Sequence, residues 1–151
     1  MNCSFYQVDV FTKVPFGGNP LAVVFDSEGL TDQNMQNIAR EMNLSETTFV
    51  LPPGNLPVDF LVRIFTPEKE IPFAGHPTLG TAHILRETGK VLSGDYRIKL
   101  AMKAGVITVA QGKKEDLLFM DQLLPDFKHS LNCTEELGKA LGISTDDINS
   151  T

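Results

Sequence analysis

The chain has 151 residues, long enough for one domain with a substantial core and short for two complete ones. Apolar residues make up 42% and charged residues 21%, close to a globular average, and no window approaches the run of about 18 apolar residues that a membrane span needs. Thirteen Lys and Arg against nineteen Asp and Glu leave a net charge of -6 with no basic cluster on any one expected element, so neither nucleic acid nor a membrane surface is an expected partner.

The chain opens with no basic leader and carries Asp9 inside its first apolar stretch, which makes the cytoplasm the expected compartment. That stretch, "SFYQVDVFT", alternates with β-branched and aromatic residues and predicts a strand. The cluster Gly17-Gly18-Asn19-Pro20 is expected to supply the positive-φ and fixed-φ positions of a turn, making a hairpin with "LAVVF". Thr31 then stands one step before "DQNMQNIAREMN", where Met35, Ile38, Ala39 and Met42 form the stripe of a helix lying on a core. These methionines read as packing. "ETTFVLP" and "VDFLVRIFTP" predict two more strands, separated by Pro52 to Asn55.

From Pro77 to Thr88 the spacing predicts a helix closed by Gly89, with Pro77 at its first position and His76 just before it. Its first two turns carry almost no charge, so it is expected to be enclosed by strands. "YRIKLAM", "GVITVAQG" and "DLLFMDQL" return to strand character, with turns at Lys103-Ala104-Gly105 and Gly112-Lys113-Lys114. After Pro125, "CTEELGKALGIS" predicts a short helix with Thr134 as its cap and Leu137, Ala140 and Leu141 inward. The order mixes strands and helices without regular βαβ alternation.

A helix N-terminus offers unpaired backbone N–H groups and partial positive charge, so "AGHPT" could hold a carboxylate. Gly75 lets the backbone approach, Pro77 fixes the first turn, Thr78 offers its hydroxyl and N–H, and His76 stands by as donor or proton carrier. Taken alone, the same residues read first as a plain helix start. Gly75 to Gly80 has the glycine spacing of a phosphate loop, but Thr81 replaces the required lysine. No serine or cysteine sits in a nucleophile elbow. Cys3 and Cys133 lack partners at metal-like spacing and read as free thiols, so no metal site is expected. Glu46, at the entry of an apolar strand, is a second candidate: burial would favour its protonated form and suit it to take and return a proton, while an exposed loop acid is the plain alternative.

"VDVFTKVPFGGNPLAVV", "NLSETTFV" and "VRIFTPEKEIPFAGHPTLGTA", in this order and spacing, resemble the N-terminal half of the PhzF-like, phenazine-biosynthesis isomerase family. The resemblance implies an α+β, diaminopimelate-epimerase-like domain, a mostly antiparallel sheet curled around a central helix, with a second such domain across a cleft. It places the family's catalytic glutamate on Glu46 and its histidine on His76. Gly75, Pro77 and Thr78 become carboxylate-binding residues, with Asn19 facing the same region. It further implies proton transfer on a small anionic substrate without metal or organic cofactor. The related racemases use two thiols, and Ala74 stands where the first would be, so two-thiol chemistry is disfavoured.

The family's chains are about twice this long, so residues 1–124 are expected to be the N-terminal domain and 125–151 the start of a truncated second one. This chain alone is then expected to be inactive. Two alternatives stay open: a homodimer that closes the cleft about a two-fold axis, and a non-catalytic carboxylate-binding module.

Overall fold

A computed structural model describes residues 2–91, 97–112, 117–122, 124–125 and 133–148. Strands β1 (Phe5–Val10) and β2 (Asn19–Val24) form the expected hairpin, with Val10 opposite Asn19. Helix α1 (Asp32–Met42) leads to β3 (Glu46–Leu51), β4 (Phe60–Phe65) and the short β5 (Glu70–Ile71). Helix α2 (Gly75–Glu87) precedes β6 (Arg97–Met102), β7 (Gly105–Gln111) and β8 (Leu118–Met120), and α3 (Thr134–Leu141) comes last. Of the expected strand character, Tyr96, Asp116 and Leu123 lie outside the described residues, as do Lys113 and Lys114 of one expected turn.

The strands form one sheet in the order β1-β2-β3-β4-β6-β7-β8, with β5 beside β4. Pairing is antiparallel except between β2 and β3 and between β4 and β6. A parallel pair needs a crossover, and the two long helices belong to these two connections. The sheet therefore has a helix on each face. Leu21, Val23, Val50, Ile64, Leu85 and Leu100 belong to the core around α2, inside the curl, whereas Val24, Met35, Ala39, Phe49 and Phe65 form a second core under α1. Phe49 meets Phe65 edge to face at 5.4 Å. Buried on both faces, β2 reads as a continuous apolar run from Leu21 to Val24, and β3 buries Thr47 and Thr48 beside Phe49 and Val50. Met35 is 2% exposed, as expected of a packing methionine.

Local chemistry fixes the ends of the helices. The Thr31 side chain accepts a hydrogen bond from the Asn34 N–H, and Asn43, at φ 51°, closes α1 with its own N–H to the Ala39 carbonyl. Gly89, at φ 67°, ends α2: its N–H bonds the Arg86 carbonyl and the Lys90 N–H bonds that of Leu85. The turn before β2 departs from expectation. Its left-handed residues are Phe11 and Phe16, both at φ 65°, not the glycines. Gly18 is needed for space instead, since a Cβ there would lie 2.3 Å from the Val10 carbonyl oxygen.

Helix α3 also differs from its sequence reading. Cys133, not Thr134, precedes the first turn, with no side-chain capping bond, and Leu141 is 60% exposed. Leu137 is half-buried and Ala140 exposed. Among the described residues this helix packs chiefly on the 3-10 turn Thr145–Asp147 that follows it, which is too short to cover an apolar stripe.

On the α1 face Arg63 of β4 donates through Nε (2.8 Å) and Nη2 (2.7 Å) to the two oxygens of Glu70 on β5, and through Nη1 (2.6 Å) to Asp32. Lys103 Nζ lies 2.5 Å from Glu70 Oε2. The hydrogen-bonded Arg63 guanidinium first, and Lys103 after it, hold the Glu70 carboxyl below the usual carboxylate range against the opposing effect of burial. A carboxylate whose folded pKa lies below its unfolded value contributes stability that is complete above the unfolded value, about 4.3, and is lost as pH falls through the folded one. Urea unfolding should therefore show the native chain weakening below about pH 4. Glu70→Gln should be about 2 kcal/mol less stable at neutral pH and flatter in that acid range. Parallel pH profiles of the two proteins would remove the linkage.

Candidate active site

Strands β2 and β3 run side by side with Leu21 opposite Glu46, so their N-terminal ends lie at one end of the sheet. Residues two apart on a strand share a face. Asn19 thus lies on the face of Leu21, and Glu46 on that of Thr48, whose hydroxyl meets Thr81 of α2 at 2.9 Å. From Glu46 to Thr48 the strand advances roughly 6.6 Å, and from His76 to Thr81 the helix advances roughly 7.5 Å. The buried Thr48–Thr81 bond therefore keys the helix to the strand at a register that brings His76 level with Glu46. Gly80 lets α2 come this close: a Cβ there would stand 2.6 Å from Leu21 Cδ2 and 2.8 Å from Val10 Cγ2.

At the mouth of α2, His76 Nε2 lies 3.4 Å from Glu46 Oε2. The imidazole is 9% exposed and the carboxylate side chain 18%, so the pair meets largely out of water. Among the described residues neither atom has a hydrogen-bond partner, so the two face each other as a close contact rather than a formed bond. On the other side of the ring Asn19 Nδ2 lies 3.2 Å from Nδ1, and Ser45 Oγ donates to Asn19 Oδ1 at 3.2 Å. Glu46, His76 and Asn19 thus come together from three separate stretches of sequence.

The first turn of α2 differs from its sequence reading in two respects. The helix begins at Gly75, so Pro77 is its third residue rather than its first. Proline is tolerated there because the first-turn N–H groups have no carbonyl within the helix to bond. Thr78 turns inward: its N–H and, at 2.7 Å, its hydroxyl both donate to the Ala74 carbonyl, and its side chain is fully buried. Thr78 thereby braces the turn, leaving the Gly75 and His76 amides as the donors of this end of the helix. Met120 of β8 walls it on one side, 3.2 Å from where a Gly75 Cβ would be.

Cys3 packs with the α1-side core, its thiol donating to the Asp26 carbonyl, and Cys133 precedes α3. Both are free thiols. Among the described residues no group of three His, Cys, Asp or Glu side chains is placed to hold a metal ion, and no helix is long and apolar enough to cross a membrane. Sequence reasoning missed Ser45, Thr48 and Thr81. Period-2 alternation from Glu46 points to Thr48, but its partner Thr81 and the bond from Ser45 to Asn19 require knowing that β2 and β3 pair and lie along α2.

A mixed sheet curled around a buried helix, with an acid and an imidazole meeting at the helix's first turn, defines an epimerase-like α+β domain. Residues 8–149 match the phenazine biosynthesis-like protein family, PhzC-PhzF, and the chain belongs to that family. It is 46% identical over 140 residues to trans-2,3-dihydro-3-hydroxyanthranilate isomerase of Pseudomonas fluorescens, covering 91% of this chain and 48% of that one. Antisense-enhancing sequence 1 of Schizosaccharomyces pombe is 41% identical, over 93% of this chain and 49% of its own. The chain spans about half the length of the curated relatives it matches.

Among solved structures, the PhzF-family phenazine biosynthesis protein of Bacillus anthracis superposes with a TM-score of 0.73 at 35% identity, over 99% of this chain and 50% of that one. A hydroxyproline epimerase of Agrobacterium vitis, 14% identical with a TM-score of 0.51 over 66% of this chain and 36% of that one, shares the fold alone.

Proposed function

We propose that this chain is the N-terminal half of a cofactor-independent isomerase that moves a proton on a small carboxylate substrate, with Glu46 as the group that takes and returns it. The observation that carries this reading is the largely buried contact of 3.4 Å between Glu46 and His76 at the start of α2. A carboxylate at this place can take a proton from a bound carbon acid and hand it back, and a neighbouring imidazole can stabilise charge that develops on the substrate. The Gly75 and His76 amides, with Asn19 at the rim, would receive the substrate carboxylate. The carbon–hydrogen bond breaks toward Glu46 and its electron pair forms the new double bond of an enol, while the substrate's existing double bond gives its π pair to the carbon at its far end, to which the same acid returns the proton. The enol then becomes the ketone. Sequence identity to the dihydro-hydroxyanthranilate isomerase suggests an unsaturated cyclic acid of that class as substrate.

Residues 1–124 form the first wall of the cleft in this reading, and 125–151 begin the second domain. Phe11, Val14 and Phe16 stand exposed in the loop that leads to Asn19, and Leu124, Leu141 and Ile143 are exposed near the end of the chain. Apolar surface of this kind supports a covering partner, and the further half that the relatives possess would supply it.

The test is hydrogen exchange. The protein extended to the length of its relatives, incubated in deuterium oxide with trans-2,3-dihydro-3-hydroxyanthranilate and a panel of cyclic unsaturated acids, should convert at least one of them and place deuterium on carbon, read by mass spectrometry. The 151-residue chain alone should not. Tight binding of such acids with no conversion and no exchange, by the native protein and by Glu46→Gln alike, would identify a binding module instead.

A further inference from the structure

Resting on that reading, we propose that Glu70 is a positioning residue: clamped by Arg63 and Lys103, it holds from behind the short segment that delivers the Gly75 and His76 amides to the substrate carboxylate. The chain enters α2 through Ala74, so no side chain caps the first turn, and no acid stands in it. An uncapped turn leaves its N–H groups to a ligand, but it also leaves their position to whatever fixes the chain upstream.

Four residues, 71–74, separate Glu70 from Gly75. Met102, Lys103 and Ala104, consecutive at the end of β6 and the turn after it, each reach this stretch or the helix it feeds. Lys103 Nζ lies 2.5 Å from Glu70 Oε2, the Ala104 N–H donates to the Pro72 carbonyl at 3.2 Å, and Met102 Sδ lies 3.6 Å from the Thr78 hydroxyl oxygen. From the other side, β5 is held on β4 by the pairing of Ile71 with Ile64 and by the fork of Arg63 on both Glu70 oxygens. Glu70 is where the two supports meet, and its side chain is 12% exposed, so water competes little for its bonds. Two parallel charge-assisted bonds fix direction as well as distance. The body of α2 is keyed separately, through Thr48 and Thr81, so releasing Glu70 should loosen the first-turn amides more than it moves the helix.

The Gly75 amide reports the position of the turn directly and without substrate. In the protein extended to the length of its relatives and labelled with nitrogen-15 glycine, its signal is identified by its loss in Gly75→Ala. Glu70→Gln should shift that signal. It should also raise KM about ten-fold, for whichever acid of the exchange panel is converted, with kcat within about three-fold of native. Asp32→Asn is the control: it removes the third bond of the same guanidinium, at an exposed carboxylate on α1 rather than on the segment. It should leave both the Gly75 signal and KM native, whereas a network that served stability alone would treat the two variants alike.

A native Gly75 signal in Glu70→Gln would overturn the proposal, as would a KM within about two-fold of native or the same changes in Asp32→Asn. If Glu70→Gln fails to fold, Lys103→Met decides, since it removes one support at an exposed position and leaves the Arg63 fork in place: an unmoved Gly75 signal overturns the proposal. Because that signal needs no turnover, this outcome is separate from that of the exchange experiment. A shifted Gly75 in a protein that converts no acid would sink the isomerase and leave the role of Glu70 standing, and an unmoved one in an active enzyme would do the reverse.

Discussion

Glu46→Gln, made in the protein extended to the length of its relatives, should lower turnover by about 1000-fold while leaving substrate affinity within a few-fold of native. Glutamine has the shape of glutamate and can occupy the same place beside His76, but it cannot accept a proton from carbon and hand it back. The separation of rate from affinity is the informative part. A group that merely packed or bound substrate would move the dissociation constant, whereas one that carries the proton moves kcat. The measurement pairs steady-state rates with calorimetric titration of a substrate carboxylate. Turnover retained within about ten-fold would remove Glu46 as the acid and base, whatever binds nearby.

The second large effect concerns Gly80, remote from the chemistry. Gly80→Val should destabilise the fold by about 3 kcal/mol, lowering the melting temperature by roughly 10 °C. A Cβ alone would come within 2.6 Å of Leu21 Cδ2 and 2.8 Å of Val10 Cγ2, in a core where Leu21 has no exposure to yield into. Gly80→Ala should lose less, about 1 kcal/mol, because the helix gains about as much from alanine as part of the overpacking removes. Thermal unfolding of the three proteins tests the order. Valine at native stability would mean that α2 does not sit as close to β1 and β2 as its position requires. The same substitution should separate Glu46 from His76, since α2 carries one of the pair and the sheet the other.

Much of this fold was legible locally, and the reasons differ element by element. The enclosed position of α2 followed from the lack of charge in its first turns, and the start of α1 from Thr31. The resemblance over separate motifs put Asn19, Glu46 and His76 in one place. What sequence could not supply was set by distant neighbours. No local pattern distinguishes the parallel β2–β3 pairing from an antiparallel one, and that pairing is what brings Ser45 to Asn19. Left-handed Phe11 and Phe16 escaped notice because aromatic residues carry no preference for positive φ. Thr78 looked available to a ligand, but an intrahelical carbonyl four residues back claims both its donors. The inward face assigned to α3 assumed a neighbour that the described residues do not supply.

The contacts of the acid–imidazole cluster span long stretches of chain: 26 residues separate Ser45 from Asn19 and 57 separate Asn19 from His76. The β2–β3 crossover must close before Ser45 can meet Asn19, and α2 must dock on the sheet before His76 can meet either Asn19 or Glu46; each closure sacrifices chain entropy before it is repaid. The cluster is accordingly a late product of folding. A nascent or partly collapsed chain has α1, the β1–β2 hairpin and other local structure available to it while it still lacks the geometry that proton transfer would require.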